Sequence, residues 1–354
     1  MAFDLHALMR QAAELRASDI FLKEKSPPAI RLHGRIQITD FPPLTADQVQ
    51  QIAYSLMTPQ QIARFEQRNE LDLAFTLEGV SRFRGNVYRQ RGSVALVLRL
   101  IPLVMPHLDD LGMPPVLKEL PKQRQGLILV TGPTGSGKST TLAALIDHIN
   151  TTRHGNIITI EDPIEYVFDD KNCVVYQREV GRDTRSFAAA LRSVLRQSPD
   201  VIMIGEMRDA ETIAVAMTAS EMGHLVLSSL HTTSAVATVD RIINMFPPHE
   251  KSQVRAQLAA CLTGVISQRL VRRHNQPGRL PAVEVMINTP TVRKHIEEGN
   301  TGEIYAALRE GRHFGMNTLN QSLERLYQAR LISYEEAIAN AGNLTELRQM
   351  LRQG

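Results

Sequence analysis

Residues Gly132 to Thr140 read Gly-Pro-Thr-Gly-Ser-Gly-Lys-Ser-Thr, which fits the spacing G-x-x-x-x-G-K-[ST] of a phosphate-binding loop. In such a loop the glycines let backbone N–H groups turn inward around phosphate oxygens, and the following helix presents the positive end of its dipole. The candidate nucleotide contacts are Gly132, Pro133, Thr134, Gly135, Ser136, Gly137, Lys138, Ser139 and Thr140. Lys138 is placed to reach the β- and γ-phosphates of ATP, and the Ser139 hydroxyl to bind Mg²⁺. The context is the required one, because a predicted strand, Leu127 to Val130, precedes the loop and a predicted helix, Thr140 to Asn150, follows it. The plain alternative, a flexible Gly/Ser turn, accounts for neither the lysine nor the flanking elements.

A phosphate loop that hydrolyses needs carboxylates. The apolar run Val201 to Ile204 is followed by Gly205-Glu206, whereas Asp200 sits at its other end, away from the phosphates. Glu206 is therefore the candidate Mg²⁺ or water partner, at the C-terminal end of a strand beside the loop. A second acidic group, Glu161-Asp162-Pro163-Ile164-Glu165, follows the buried run Ile157 to Ile160. A carboxylate there can orient or deprotonate the attacking water. Residue chemistry alone leaves Glu161, Asp162 and Glu165 open, and an acid-capped turn is the structural alternative.

His224 and His231 bracket the apolar run Leu225 to Leu230. Their spacing of seven suits joint metal binding poorly. As neutral rings they are candidates to hydrogen-bond near the γ-phosphate, and as polar strand ends they do no chemistry. Arg82, Arg84, Arg89, Arg91 and Arg99 cluster on two predicted strands. A guanidinium can stabilise charge on a transferring phosphoryl group, and a solvated basic face is the common alternative. Few aromatics (Phe83, Tyr88) interleave with them, which gives little for stacked single-stranded nucleic acid.

Two kinds of element must position these residues. Before residue 101 the pattern is α+β. It has a helix over Met1 to Ala17, a strand Ile20 to Lys23, a hairpin over Ala29 to Ile38 turning at His33-Gly34, and two short helices within Thr45 to Phe65. Strands over Leu71 to Leu77, Arg82 to Arg89 and Val94 to Ile101 follow. From Gly126 the grammar becomes strand, loop, helix, and the buried runs already named read as a mainly parallel sheet. The tail from Val292 reads as helical. The division expected is residues 1–101, a proline-containing linker at 102–111, and 112–354. A length of 354 residues with 43% apolar composition supports two cores. The net charge of +3 makes no case for nucleic acid. Two isolated cysteines, Cys173 and Cys261, exclude a disulfide framework and fit a reducing compartment. No run is apolar enough to span a bilayer, and the start lacks the form of a signal peptide.

Four strings resemble one family in order: GPTGSGKSTT at Gly132, ITIEDPIEY at Ile158, LRQSPDVIMIGEMRDAET at Leu195 and GHLVLSSLHTTSA at Gly223. They are similar to the Walker A, Asp, Walker B and His boxes of the secretion-type ATPases, the motors of type II secretion, type IV secretion and type IV pili. Glu284-Val-Met and the string from Phe314 to Leu323 look like the retraction branch, the PilT-type ATPases. The resemblance implies a PAS-like N-terminal domain before a RecA-like α/β P-loop ATPase domain. It implies a homohexamer using ATP and Mg²⁺ at the cytoplasmic face of the bacterial inner membrane, working on the pilus platform protein, with no nucleic acid. It implies Glu165 as general base, Glu206 as the Walker B carboxylate, His224 and His231 as the His-box pair, and Arg84 and Arg99 as the arginines of the N-terminal domain. Arg192, Arg196 and Arg208 also fall on family arginines. The retraction string Ala-Ile-Arg-Asn-Leu-Ile-Arg-Glu is matched here by Thr291-Val-Arg-Lys-His-Ile-Glu-Glu298. That departure keeps the accessory PilU-type paralogue as the first alternative, with a RecA-like nucleic-acid translocase as a further rival that the small net charge disfavours. The segment is expected to be a polar helix outside the core.

Overall fold

A computed structural model of the chain describes residues 3–15, 17–32, 34–101 and 105–353. The chain divides into two compact units, Met1–Val104 and Met105–Gly354. Part of the expected linker, residues 102–104, lies outside the described residues, as do Met1, Ala2, Arg16 and His33.

The first unit contains α1 (Leu5–Glu14), β1 (Asp19–Leu22), β2 (Ala29–Leu32), β3 (Arg35–Ile38), α2 (Ala46–Ser55), α3 (Pro59–Arg68), β4 (Glu70–Leu77), β5 (Ser81–Gln90) and β6 (Ser93–Ile101). Local chemistry sets several of these boundaries. Thr45 and Thr58 begin α2 and α3 with capping boxes closed by Gln48 and Gln61. The strands form one sheet in the order β3-β2-β1-β6-β5-β4, antiparallel throughout. Its core holds Leu8, Met9, Ile20, Phe65, Phe83, Leu96 and Leu98.

The second unit carries the chemistry. Its strands are β7 (Gly126–Thr131), β8 (Gly155–Glu161), β9 (Cys173–Glu179), β10 (Val201–Ile204), β11 (Leu225–Leu230), β12 (Leu262–Arg272) and β13 (Arg279–Ile287). They pair in the order β13-β12-β7-β11-β10-β8-β9, with β13 antiparallel and the rest parallel. Flanking them are α4 (Lys138–Thr152), α5 (Phe187–Val194), α6 (Ala210–Glu221), α7 (Ala235–Asn244) and α8 (Lys251–Cys261). The C-terminal helices are α9 (Pro290–Glu298), α10 (Ile304–Glu310), α11 (Leu319–Gln328), α12 (Tyr334–Ala339) and α13 (Leu344–Gln353).

Both faces of this sheet are covered, which is why inner strands such as β7 and β10 read as near-continuous apolar runs rather than alternating ones. Leu127 and Leu129 enter the core shared with α5 to α8, while Ile128 and Val130 enter the core shared with α4. Each such side chain, fully buried, contributes about 1.5–3 kcal/mol relative to exposure, so the strand that feeds the phosphate loop is anchored from two sides.

Three strands go beyond those expected from the sequence: β9 and the β12–β13 hairpin. The strand beside the phosphate-loop strand also differs, because β11 intervenes between β7 and β10. The segment 291–298 is helical as expected, but it is not outside the core. Val292 and Ile296 are fully buried and belong to the cluster beneath α6 to α8. Polar residues dominate the segment because it is amphipathic, with one apolar stripe inward.

Candidate functional site

The loop between β7 and α4 is built on left-handed glycines. Gly132, Gly135 and Gly137 have φ of 145°, 79° and 90°. At Gly132 a Cβ would fall 2.4 Å from the Gln268 carbonyl oxygen and 2.5 Å from Ser136 Oγ, so both conformation and space demand glycine. Gln268, buried on β12, supports the loop from below. Its Nε2 donates to the Ser136 carbonyl at 2.7 Å, and its Oε1 accepts from Thr141 Oγ1 at 2.9 Å. No sequence motif singles out Gln268, because β12 itself is not legible in the sequence.

The helix that follows fits an anion. Helices α5, α6 and α7 each begin with a side chain, Ser186, Asp209 or Ser234, accepting a first-turn N–H. Helix α4 begins at Gly137 with no side-chain cap, so its first-turn donors and dipole face the loop. The Ser139 hydroxyl is half-buried at that turn. Lys138 Nζ donates to the carbonyls of Gly132 at 2.9 Å and Pro133 at 3.2 Å. Burial draws its ammonium below the ordinary lysine range, and the charges of Glu206 and Glu165 oppose that draw.

His231, at the end of β11, links the lysine to a carboxylate. Its Nδ1 lies 3.5 Å from Lys138 Nζ and its Nε2 lies 3.2 Å from Glu206 Oε2. A proton on Nε2 lets the ring donate to Glu206. Glu206 also pairs with Arg208. Burial pulls its carboxyl upward, but Arg208 and His231 outweigh burial and hold it below its ordinary value. An ionised carboxylate and a free hydroxyl near a phosphate site match what Mg²⁺ takes from protein, which is one or two oxygens. Among the described residues no group of three or more His, Cys, Asp or Glu side chains could hold a metal alone.

The acidic box divides into a buried and an exposed carboxylate. Glu161 is 6% exposed. Its Oε1 accepts from Thr159 Oγ1 at 2.7 Å and Gln177 Nε2 at 3.1 Å, and its Oε2 accepts from the Glu165 N–H at 3.3 Å. Burial nevertheless pushes its carboxyl up to about 6. Glu165 is exposed, and its charge reaches Lys138. Every lone pair of Glu161 that is accounted for serves the protein, whereas Glu165 has its oxygens free for water.

The structure does not bring His224 to this group. It stands at the start of β11, with Nδ1 2.8 Å from the Pro199 carbonyl oxygen. That is the sheet edge opposite the phosphate loop, since β11 and β7 are parallel. His224 thus stands at the same end of the sheet as Asp200, and its expected place near the γ-phosphate is corrected. Arg192 pairs with Glu211 on α6, and Arg196 is exposed.

In the first unit Arg84 on β5 and Arg99 on β6 are direct cross-strand partners. Arg99 donates to Asp19 at 3.1 Å, and Asp19 also accepts from Arg31. Arg84 is exposed. Like charges directly opposite each other destabilise a sheet, so this pair is an arrangement that an anion would relieve.

A glycine cradle between a central parallel strand and an uncapped helix, with carboxylates off neighbouring strand ends, defines a RecA-like P-loop nucleotide-binding domain, here preceded by an α+β domain. Residues 2–353 match the family described as Type II/IV secretion system protein. The chain is 46% identical over 334 residues to the type IV pilus retraction ATPase PilT of Pseudomonas aeruginosa, covering 94% of this chain and 97% of the relative. It is 43% identical to a twitching motility protein of Neisseria gonorrhoeae, covering 97% of this chain and 92% of the relative. The type IV pilus ATPase PilU of P. aeruginosa is 39% identical, covering 99% of this chain and 92% of the relative. A crystal structure of the pilus retraction motor PilT with bound ADP superposes with a TM-score of 0.93 at 46% identity, over 98% of this chain and 99% of that one. The chain belongs to the type II/IV secretion system protein family.

Proposed function

We propose that the chain is an ATP-hydrolysing motor that powers retraction of type IV pili, and so twitching motility. The observation that carries this is the full-length likeness to retraction ATPases together with a phosphate cradle whose helix end is left open to an anion. ATP docks its phosphates on residues 132–140, with Lys138 leaving its two carbonyl partners for the β- and γ-oxygens. Ser139 and Glu206 would hold Mg²⁺. The metal supplies charge neutralisation on the phosphates. His231 keeps Glu206 and Lys138 in register. Glu165 takes the proton of the attacking water in line with the leaving ADP. Arg84 and Arg99 stabilise charge on the transferring phosphoryl group.

The working form is a homohexamer on the cytoplasmic face of the inner membrane, acting on the pilus platform protein. Among the described residues no helix is long and apolar enough to cross a membrane. A deletion strain is the direct test. It should assemble surface pili and fail to retract them, and loss of pilus assembly instead would overturn the reading. The second reading, an accessory ATPase of the PilU type, is favoured by the departure at residues 291–298. It predicts that retraction persists in the deletion strain and weakens only under load.

A further inference from the structure

The segment 162–168, which carries Glu165, belongs to no helix or strand, yet side chains tie down its backbone along its length. The Ile164 N–H donates to Glu179 Oε2 at 3.2 Å, and the Glu165 N–H to Glu161 Oε2 at 3.3 Å. Gln177 holds two more points. Its Nε2 donates to the Tyr166 carbonyl at 2.7 Å, and its Oε1 accepts from the Phe168 N–H at 2.9 Å. These bonds fix the segment to β8 and the edge strand β9. One further hydrogen bond runs the other way, to the nucleotide loop. The hydroxyls of Tyr166 and Thr140 lie 3.1 Å apart, and Thr140 is in the first turn of α4.

We infer that Tyr166 is a positioning residue, whose hydroxyl ties the segment bearing Glu165 to the helix turn that receives the phosphates. The inference rests on the reading of Glu165 as general base. Tyr166 is half-buried while its neighbour Glu165 is exposed, as expected of adjacent residues in a non-helical stretch whose side chains diverge. Anchoring the tyrosine therefore fixes the glutamate backbone without occupying its carboxylate. The phosphates and the base then share one reference point, the first turn of α4. Misplacing a reacting group by about 1 Å costs on the order of a hundredfold in rate. A single hydroxyl contact in a segment otherwise held by Gln177, Glu161 and Glu179 controls a smaller share of that.

The test uses the full-length protein and separates turnover from binding. Tyr166→Phe keeps the ring and removes the hydroxyl. It should lower kcat roughly fivefold, the rate equivalent of one neutral hydrogen bond, with the Kd for ATP within about twofold of the parent. Thr140→Val, which also alters the phosphate loop, should lose at least as much kcat, and the double variant should be no slower than Thr140→Val alone, because Tyr166→Phe removes only the contact that Thr140→Val already breaks. An unchanged kcat in Tyr166→Phe overturns the inference, and so do additive losses in the double variant. A fall in ATP affinity that accounts for the whole loss does so too, since it would make Tyr166 a binding residue. Glu165→Gln serves as the reference. If it is inactive while Tyr166→Phe is unaffected, the base assignment stands and only the tyrosine's role is lost. If Glu165→Gln turns over normally, the base assignment goes and the positioning role goes with it.

Discussion

The two glutamates of the acidic box show how little a residue type says without its burial. Both stand in one short string, and the string alone leaves the general base open. In the structure Glu161 is enclosed and spends its oxygens on Thr159, Gln177 and the Glu165 N–H, while Glu165 is free. Glu165→Gln should therefore bind ATP and fail to hydrolyse it, and Glu161→Gln should keep measurable turnover. An ATPase assay with the opposite ranking would reverse the assignment. Lys138→Ala should abolish turnover and leave the circular dichroism spectrum unchanged, because among the described residues the lysine's bonds go to two loop carbonyls and the His231 ring, all within the phosphate site. Glu161 also sets a pH dependence. Its folded pKa of about 6 lies above the ordinary 4.5, so the stability it contributes is fully present below about pH 4.5 and is lost as pH rises through 6. The difference corresponds to about 2 kcal/mol. Glu161→Gln cannot titrate, so relative to the parent it should gain roughly that much in urea unfolding between about pH 3.5 and about pH 7.5. A constant difference between the two proteins across that range would show that Glu161 does not titrate there.

At the scale of elements, what was legible follows from how each strand satisfies its polar groups. Runs such as Leu127 to Val130, Val201 to Ile204 and Leu225 to Leu230 are buried on both faces and contain few or no polar atoms, so they announce themselves. Strand β12 is equally internal but carries Ser267, Gln268 and Arg269, which look like surface in a sequence. Ser267 and Gln268 are buried, and Gln268 finds its partners in Thr141 and the Ser136 carbonyl, more than 120 residues away in the chain. Strand β9 was hidden for the reverse reason. It is an edge, with Val174 and Tyr176 exposed and polar positions serving the 162–168 segment. Helix α9 tests the same point. Its charged face, Arg293, Lys294 and Glu298, is open, while Val292 and Ile296 are buried. Ile296→Ala should cost about 2–5 kcal/mol by leaving a core cavity, and should lower ATPase activity and twitching together. Arg293→Ala with Lys294→Ala should leave the ATPase rate within about threefold, as surface changes do, and shrink the twitching zone. The hypothesis behind this is that the exposed face of α9 transmits motion to a partner, and a double variant that retracts normally would refute it.

For the whole molecule, a net charge of +3 spread over 354 residues offers little self-repulsion against ring formation. Within the first unit, Arg84 and Arg99 are held face to face by sheet register, and Asp19 neutralises only one of them while also serving Arg31. Among the described residues Arg84 makes no hydrogen bond or ion pair, so the pair keeps an unspent positive charge at a cost to the sheet. A sheet that keeps two arginines opposed gains from an anion that both can share, and a phosphoryl group in transfer is such an anion. On the proposed role of the pair, Arg84→Ala should slow hydrolysis by at least about tenfold and leave the sheet no less stable, because it removes a repulsion. If the working form is a hexamer, sedimentation velocity with Mg²⁺ and ATP should show a six-membered species, and specific activity should rise with protein concentration until that species dominates. The measurement is rate per subunit against the sedimenting species in the same buffer. A fully active monomer, or an Arg84→Ala variant with undiminished turnover, would mean that each subunit completes hydrolysis without the arginine pair, and the motor would need another source of positive charge for its transition state.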